Sequence, residues 1–79
     1  MDLTFSERLE LVMRERCLYP SDVERLTGIR KRKIYEYLQG THQPSAYAVK
    51  RIALGLDVSS DYLLGIKNSA IKGTHKLVK

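Results

Sequence analysis

The sequence predicts an all-α fold, a compact domain of five short helices with a helix-turn-helix and a short basic tail at the C-terminus. Three observations predict this class. Apolar residues recur at helical spacing through residues 5–64, residues that start or end helices separate the apolar runs, and no alternating polar and apolar run of strand length precedes residue 66. A chain of 79 residues holds one small core. We therefore assign residues 1–66 to the helical domain and residues 67–79 to the tail.

The first helix is expected over about Thr4 to Arg16. Thr4 and Glu7 have the spacing of a capping box, in which each side chain accepts a hydrogen bond from the backbone N–H of the other residue. The residues expected to face the core follow the helical repeat: Phe5, Leu9, Val12 and Met13.

The second helix has two possible starts. Pro20 suits the first position of a helix because its φ is already helical, whereas Ser21 and Glu24 have the spacing of another capping box. Either start leads to an end at Gly28, which suits the left-handed conformation that terminates helices. The apolar series of this segment consists of Leu18, Val23, Leu26 and Ile29.

The third helix is expected at about residues 30–39, directly after a short turn at Thr27-Gly28-Ile29, and Gly40 ends it. The side chains that helical geometry turns inward are Ile34, Tyr37 and Leu38. Two helices joined by a short Gly-containing turn form a helix-turn-helix.

Two further helices follow a polar loop. Ser45 is the expected cap of the fourth helix, and Ser59 is that of the fifth, which spans Ser60 to Leu64 and ends at Gly65. The apolar stripe of the fourth helix consists of Val49, Ile52, Ala53 and Leu56.

Positive charge is concentrated in two places. The chain has 14 basic and 9 acidic residues for a net charge of +5, and residues 66–79 contain lysines but no acid, so the helical domain is nearly neutral. The tail lysines are Lys67, Lys72, Lys76 and Lys79. We expect a mobile tail whose deletion leaves the fold intact; the alternative is that Thr74 to Val78 pair as a strand with another chain.

The second concentration is the run Arg30 to Lys33 at the start of the third helix. Cations there oppose the positive end of the helix dipole and repel one another, so they destabilise the helix unless an anion binds. A solvated charged face is the alternative explanation, but the position directly after the turn favours contact with nucleic acid.

Four fragments in this order resemble the lambda-repressor-like, Cro-type helix-turn-helix family, also called the XRE family. They are Phe5-x-x-x-Leu9, Arg25-Leu26-Thr27-Gly28-Ile29, Gly40-x-x-x-Pro44-Ser45 and Val58-Ser59-Ser60-Asp61-Tyr62-Leu63-Leu64-Gly65. The resemblance covers about Thr4 to Ile66. It implies sequence-specific binding of double-stranded DNA by a phage-repressor type of transcriptional regulator, with the third helix in the major groove and a homodimer on a palindromic operator.

The resemblance also implies roles for individual residues. The positions that reach base edges are Lys31, Arg32 and Glu36, and Tyr35 shares their exposed face. The positions expected to contact phosphates are Arg30, Lys33, Thr41, His42 and Gln43.

Side-chain chemistry refines these roles but leaves alternatives. Arg32 can bind guanine O6 and N7 bidentately, and Lys31 can do likewise or hold a phosphate. Glu36 can accept a hydrogen bond from cytosine N4 or position the guanidinium of Arg32; an ordinary surface pair at this i, i+4 spacing is as plausible. Tyr35 is expected to contact the sugar-phosphate backbone or a thymine methyl, or to be partly buried.

Three positions depart from the family pattern. Pro20 stands where the family often has a phosphate-binding glutamine, so one phosphate contact is lost. Met13 and Leu38 stand where an arginine and a glutamate commonly pair, so a hydrophobic contact is expected instead. Glu24 replaces a small alanine, and it either stays at the surface through its capping box with Ser21 or forces two helices apart.

The remaining aromatic and sulfur-containing residues are interpreted as structural. Tyr37 is expected in the core. Tyr19, Tyr47 and Tyr62 are assigned to the core ahead of the alternative, a subunit interface. Cys17 cannot form an internal disulfide and is expected to be a buried, inert thiol.

No enzymatic activity, cofactor, metal or small-molecule ligand is predicted. His42 and His75 have no second ligand at metal-binding spacing, and no base is placed beside Cys17. The absence of a signal peptide or bilayer-length apolar stretch favours a reducing, cytoplasmic setting without membrane contact. The alternative function is a protein-interaction module, such as an antitoxin or a repressor partner, with weak or no DNA binding.

Overall fold

A computed structural model describes residues 3–66 of the chain. These residues form five α-helices connected by short loops, which confirms the predicted all-α, five-helix class. The helices are α1 (Phe5–Glu15), α2 (Pro20–Thr27), α3 (Lys31–Gln39), α4 (Ala46–Leu56) and α5 (Ser60–Leu63). The predicted basic tail, including His75 and the segment Thr74 to Val78, lies outside the described residues.

Three of the predicted helix caps are present. The Thr4 hydroxyl accepts a hydrogen bond from the Glu7 N–H at 3.1 Å, and the Glu7 carboxylate accepts one from the Thr4 N–H at 2.8 Å. Ser45 accepts from the Ala48 N–H in α4, and Ser59 accepts from two N–H groups in α5. These bonds satisfy backbone donors that a helix start leaves without partners.

Of the two predicted starts of α2, at Pro20 or after a cap at Ser21, the structure has the one at Pro20. The Tyr19 N–H donates to the Asp22 carboxylate at 2.8 Å, so the cap lies two residues before the expected box. The proposed box of Ser21 and Glu24 is therefore wrong, because both residues are already inside the helix. Glu24 is half-buried without it, and α2 still packs against α3 and α4.

The core lies between the helices and contains most of the residues expected there. Met13 is buried, and Leu38 packs against the core, in agreement with a hydrophobic replacement of the family ion pair. Tyr37 and Tyr62 are buried as expected. The buried apolar residues are Leu9, Val12, Met13, Val23, Ile34, Tyr37, Ala48, Val49, Ile52, Ala53, Leu56, Val58, Tyr62 and Leu63.

Four assignments to the interior are wrong. Tyr19 and Tyr47 are 74% and 66% exposed, and Leu26 is 45% exposed, because each lies on the outer side of its helix or just before it. Cys17 is also exposed, with a φ of 57° in the left-handed region, since the chain turns sharply there between α1 and α2. A glycine at this position would meet the same backbone requirement without strain.

Side chains from distant parts of the chain donate hydrogen bonds to carbonyl oxygens at the C-terminal ends of three helices. Arg51 on α4 donates from Nε to the Thr27 carbonyl oxygen of α2 at 2.9 Å. Ser6 on α1 donates to the Tyr37 carbonyl oxygen of α3, and Arg16, after α1, donates to the Leu56 carbonyl oxygen of α4. These acceptors lie in the last turns of their helices, where intrahelical donors run out.

A glycine allows α2 to approach α4 closely. A Cβ atom at Gly55 would lie 2.6 Å from the Leu26 carbonyl oxygen and 2.8 Å from Thr27 Cγ2. Real carbon contacts at these distances require the backbone to move. Gly55 therefore sets the spacing of α2 over α4, and α2 in turn supports α3.

One buried cation joins the first and last helices. Arg8 is 4% exposed; its Nε donates to the Leu3 carbonyl oxygen at 3.3 Å, and its guanidinium lies 4.9 Å from the centre of the Tyr62 ring. Hydrogen bonding and cation–π contact compensate for burial of the charge. No role was expected for Arg8 from the sequence, where it falls beside the apolar repeat of the first helix.

Candidate nucleic-acid interface

The turn between α2 and α3 is held by the side chain of Thr27. This buried hydroxyl donates to the Val23 carbonyl oxygen at 2.7 Å and accepts from the Ile29 N–H at 3.1 Å. Gly28 between them has a φ of 79°, a value that glycine adopts readily. The two bonds connect the end of α2 to the chain that enters α3, and they fix the direction in which α3 leaves the turn.

The inner face of α3 is anchored in the core. Ile34 is fully buried, and the Tyr37 ring makes an edge-to-face contact with Phe5 at 5.9 Å between ring centres. The opposite face is open. The Arg32 side chain is 91% exposed, Tyr35 is half exposed, and Lys31 is exposed as well.

The start of α3 differs from the other helix starts in residues 3–66. Arg30 occupies the cap position without a side-chain cap bond, and the first turn contains no acid. Each of the other four helices has an acid in its first turn, a serine or threonine cap, or both. Lys31, Arg32 and Lys33 instead place cations at the positive end of the helix dipole, a position that favours anions.

Glu36 is surrounded by three basic side chains on this exposed face. Its Oε1 lies 3.6 Å from Lys33 Nζ and 3.6 Å from His42 Nδ1, and its Oε2 lies 4.0 Å from Arg32 Nε. The Glu36 side chain is 26% exposed, whereas those of Lys33 and His42 are 52% exposed. At these exposures the pairs of Glu36 with Lys33 and Arg32 each contribute modestly to stability, on the order of 0.2–1 kcal/mol.

The loop after α3 continues the same surface. Thr41 Oγ1 donates to the Glu36 carbonyl oxygen at 3.2 Å and lies 3.2 Å from His42 Nδ1. Gly40, with a φ of 77°, turns the chain so that this loop reaches back to Glu36. His42 and Gln43 are exposed.

The structure thus brings together part of the expected site. The residues joined by direct contacts around Glu36 are Arg32, Lys33, Thr41 and His42. The remaining expected residues are exposed and form no hydrogen bond or ion pair with this group: Arg30, Lys31, Tyr35 and Gln43. The assignment of individual residues to bases or phosphates stays a prediction.

Two residues that position the site were missed in the sequence. Arg51 caps α2, and its Nη2 lies 2.6 Å from the point where a Cβ on Gly28 would be, so its guanidinium lies against the turn. Gly55 admits α2 against α4. The role of Gly55 could have been predicted, because a glycine in the middle of a helical apolar stripe often marks a close contact between helices. The sequence around Arg51 contains no feature that indicates its contact with α2.

The surface formed by residues 3–66 includes two grooves near the helix-turn-helix. One, of about 340 Å³, lies between the start of α1 and the end of α3, and it includes Glu7, His42 and Gln43. The other, of about 230 Å³, lies between α2 and α4 beside Leu26 and Leu54. Within residues 3–66, no group of three or more histidine, cysteine or acidic side chains is placed to hold a metal, and no helix is long and apolar enough to cross a membrane.

Together, the five-helix order, the turn at Gly28 and the exposed second helix of the motif define a helix-turn-helix domain with the lambda-repressor-like fold. This confirms the resemblance at the level of fold. A particular solved structure with this fold is the P22 c2 repressor protein in complex with the synthetic operator 9T in the presence of Tl⁺. It superimposes with a TM-score of 0.74 at 17% identity, covering 82% of this chain and 98% of that one. No protein-family model matches the sequence, and a search of curated proteins finds no similar sequence.

Proposed function

We propose that this protein binds double-stranded DNA sequence-specifically and regulates transcription, with α3 in the major groove. The observation that carries the proposal is the start of α3: three exposed cations in a first turn without an acid, on a helix whose other face is locked into the core. This arrangement is unfavourable for the isolated domain and favourable once phosphates or base edges supply acceptors. The similar P22 c2 repressor was solved in complex with an operator.

The proposed contacts fall into two classes. Base edges are read by Lys31, Arg32, Tyr35 and Glu36, with Arg32 placed to bind guanine because its side chain is the most exposed of the cluster around Glu36. Phosphates are bound by Arg30, Lys33, His42 and Gln43. Thr41 was expected at a phosphate too, but its backbone N–H and its hydroxyl both donate to the Glu36 carbonyl oxygen, so Thr41 instead orients His42.

A homodimer is part of this proposal. Two copies of α3 related by a two-fold axis would occupy successive major grooves about 34 Å apart, and the operator would be an inverted repeat. Such a regulator acts in the cytoplasm, where the proposed target DNA is found, and has no catalytic step.

The proposal is tested by selecting bound fragments from a random duplex pool and then titrating the selected duplex at several salt concentrations. We expect an inverted repeat and a log–log salt slope of about 0.9 for each phosphate neutralised. Lys33→Ala should lower affinity and reduce the slope. Lys50→Ala is the matched control, because it removes the same charge from an exposed position on α4. Failure to enrich any sequence, together with a flat salt response, would reject the proposal.

A protein-interaction module is the second candidate, and one observation favours it. Leu26 and Leu54 are 45% and 59% exposed and flank the groove between α2 and α4. Apolar side chains beside a groove are typical of protein contacts. The salt titration separates the two candidates, because an interaction module of this kind gives no phosphate-dependent slope.

A further inference from the structure

His42 lies at the edge of the proposed DNA surface, where two acceptors face the same ring nitrogen. Its Nδ1 is 3.6 Å from Glu36 Oε1 and 3.2 Å from Thr41 Oγ1. The Thr41 hydroxyl donates its single hydrogen to the Glu36 carbonyl oxygen at 3.2 Å. It therefore can only accept a hydrogen bond from His42.

These hydrogen-bond directions determine where the ring proton lies. A carboxylate and an accepting hydroxyl both require a hydrogen on Nδ1, so the neutral imidazole of His42 is the Nδ1–H tautomer. Its Nε2 then has a lone pair and no hydrogen. A DNA phosphate cannot be bound through that lone pair, because both atoms are acceptors.

We infer that DNA binding takes up a proton at His42 Nε2, which converts the ring from an acceptor into a cationic phosphate donor. This inference rests on the proposed function, and it specifies the atom and the protonation state of one phosphate contact. Glu36 acts as the positioning residue. It holds Nδ1 and leaves Nε2, on the other side of the ring, available to the phosphate.

Charged groups of both signs lie around His42. The acids are Glu36 on α3 and Glu7 on α1, which lines the same groove as His42. The cations are Lys33 and Arg32, which lie near the Glu36 carboxylate. DNA binding changes this set of charges by placing a phosphate next to Nε2, and its negative charge attracts a cationic ring.

The proton balance predicts how affinity depends on pH. Because the DNA-bound state carries more protons than the free state, the association constant falls as pH rises through the range from about 5 to 8 in which histidine changes charge. The fall is at most about tenfold per pH unit for each proton taken up. A lysine or arginine contact would show no such dependence in this range.

The experiment measures dissociation constants for one selected duplex at pH 6 and pH 8, at constant ionic strength, for the full chain and two variants. We expect weaker binding at pH 8 for the wild-type chain and for His75→Gln, which removes the other histidine. His42→Gln should lose most of the difference, because the glutamine amide donates a hydrogen bond at either pH. Calorimetry in MES and in imidazole gives the number of protons taken up, because the two buffers release a proton with different enthalpies. The binding enthalpy should differ between the buffers for the wild-type chain and differ little for His42→Gln.

The possible outcomes separate this inference from the proposed function. Absence of duplex binding at any pH would reject the proposed function itself. Tight, salt-dependent binding with the same affinity at pH 6 and pH 8 would support DNA binding and overturn the role of His42. A pH dependence that disappears in His75→Gln but persists in His42→Gln would place the proton in the tail and also overturn it.

Discussion

Arg51 Nε donates a hydrogen bond to the Thr27 carbonyl oxygen at 2.9 Å, across the contact between α4 and α2. The same guanidinium lies 5.8 Å from the centre of the Tyr47 ring. A cation at the C-terminal end of α2 is favourable because it faces the negative end of the helix dipole and an acceptor without an intrahelical donor. The turn that directs α3 is thus supported by a residue outside the helix-turn-helix.

Replacing Arg51 with alanine should therefore destabilise the domain. We expect Arg51→Ala to lower the free energy of unfolding by about 1 kcal/mol, since a charge-assisted hydrogen bond is lost at a partly exposed site. Urea unfolding followed by circular dichroism measures the change. Lys50→Ala, at the preceding exposed position, should change stability by less than about 0.5 kcal/mol. Equal effects of the two substitutions would show that the bond contributes nothing.

Gly55→Ala should destabilise the fold even though alanine is the better helix former. The added methyl would meet the backbone of Leu26 and the side chain of Thr27 below 3 Å. We expect a net loss of about 1–2 kcal/mol, as overpacking exceeds the gain of about 1 kcal/mol in helix propensity. Thermal unfolding provides the measurement, with Leu54→Ala at the neighbouring exposed position as the control. A more stable Gly55→Ala variant would mean that α2 moves away at no cost.

Cys17→Gly should stabilise the domain, unlike most substitutions. Cys17 has a φ of 57°, which costs an L-residue about 1 kcal/mol and costs glycine very little. After the greater chain entropy of unfolded glycine is subtracted, the expected gain is a few tenths of a kcal/mol, at most about 0.6 kcal/mol. Cys17→Ala is the control, because it removes the thiol but keeps the backbone strain. A gain in both variants would assign the effect to the sulfur instead.

Arg32 and Lys33 should differ in how they affect DNA binding. Arg32→Ala is expected to cost about 1–3 kcal/mol on the selected duplex and to relax the preference at one base position. Lys33→Ala should weaken all sequences alike and reduce the salt slope by about 1. Binding to a panel of single-base variants distinguishes the two. Parallel losses across the panel for both substitutions would contradict the assignment of Arg32 to a base.

Glu36→Gln separates the alternatives for the carboxylate. If Glu36 only pairs with Arg32 and Lys33 at the surface, removing its charge frees both cations and strengthens binding to random duplex by about 0.2–1 kcal/mol. If it accepts from cytosine N4, binding to the selected duplex weakens instead, at one base position. Glu10→Gln is the charge-matched control, because Glu10 pairs with Arg14 on the exposed surface of α1. We expect the second result, because the proposed function assigns Glu36 to the base-reading face and its contact with His42 Nδ1 favours binding.

Patterns local in sequence predicted most of the fold. The capping box at Thr4, the glycine at the end of α2 and the stripe from Val49 to Leu56 depend on neighbours within one or two turns, so they can be recognised without coordinates. The choice between Pro20 and Ser21 is local too, but the sequence contains both signals. The bond from the Tyr19 N–H to the Asp22 carboxylate, seen only in the structure, decides between them.

The errors share a physical cause. Tyr19, Tyr47 and Leu26 are apolar residues near the boundary of a helical stripe, where a rotation of a few tens of degrees decides burial, and only packing against other helices sets that rotation. The roles of Arg8 and Arg51 depend on partners far along the chain, so no local spacing reveals them. For the site, outward exposure of Arg32 was predictable, whereas the convergence of His42 on Glu36 required the turn at Gly40.

The bonds from Ser6, Arg16 and Arg51 to the ends of other helices make each helix dependent on the rest. Fraying of α1 would release the last turn of α3, and loss of α4 would release α2. Amide hydrogen exchange in these four helices should therefore occur through a shared, global opening rather than through separate local ones. A partly unfolded chain would then lack the proposed DNA surface of α3. Any factor that unfolds one of these helices would therefore also prevent binding at α3.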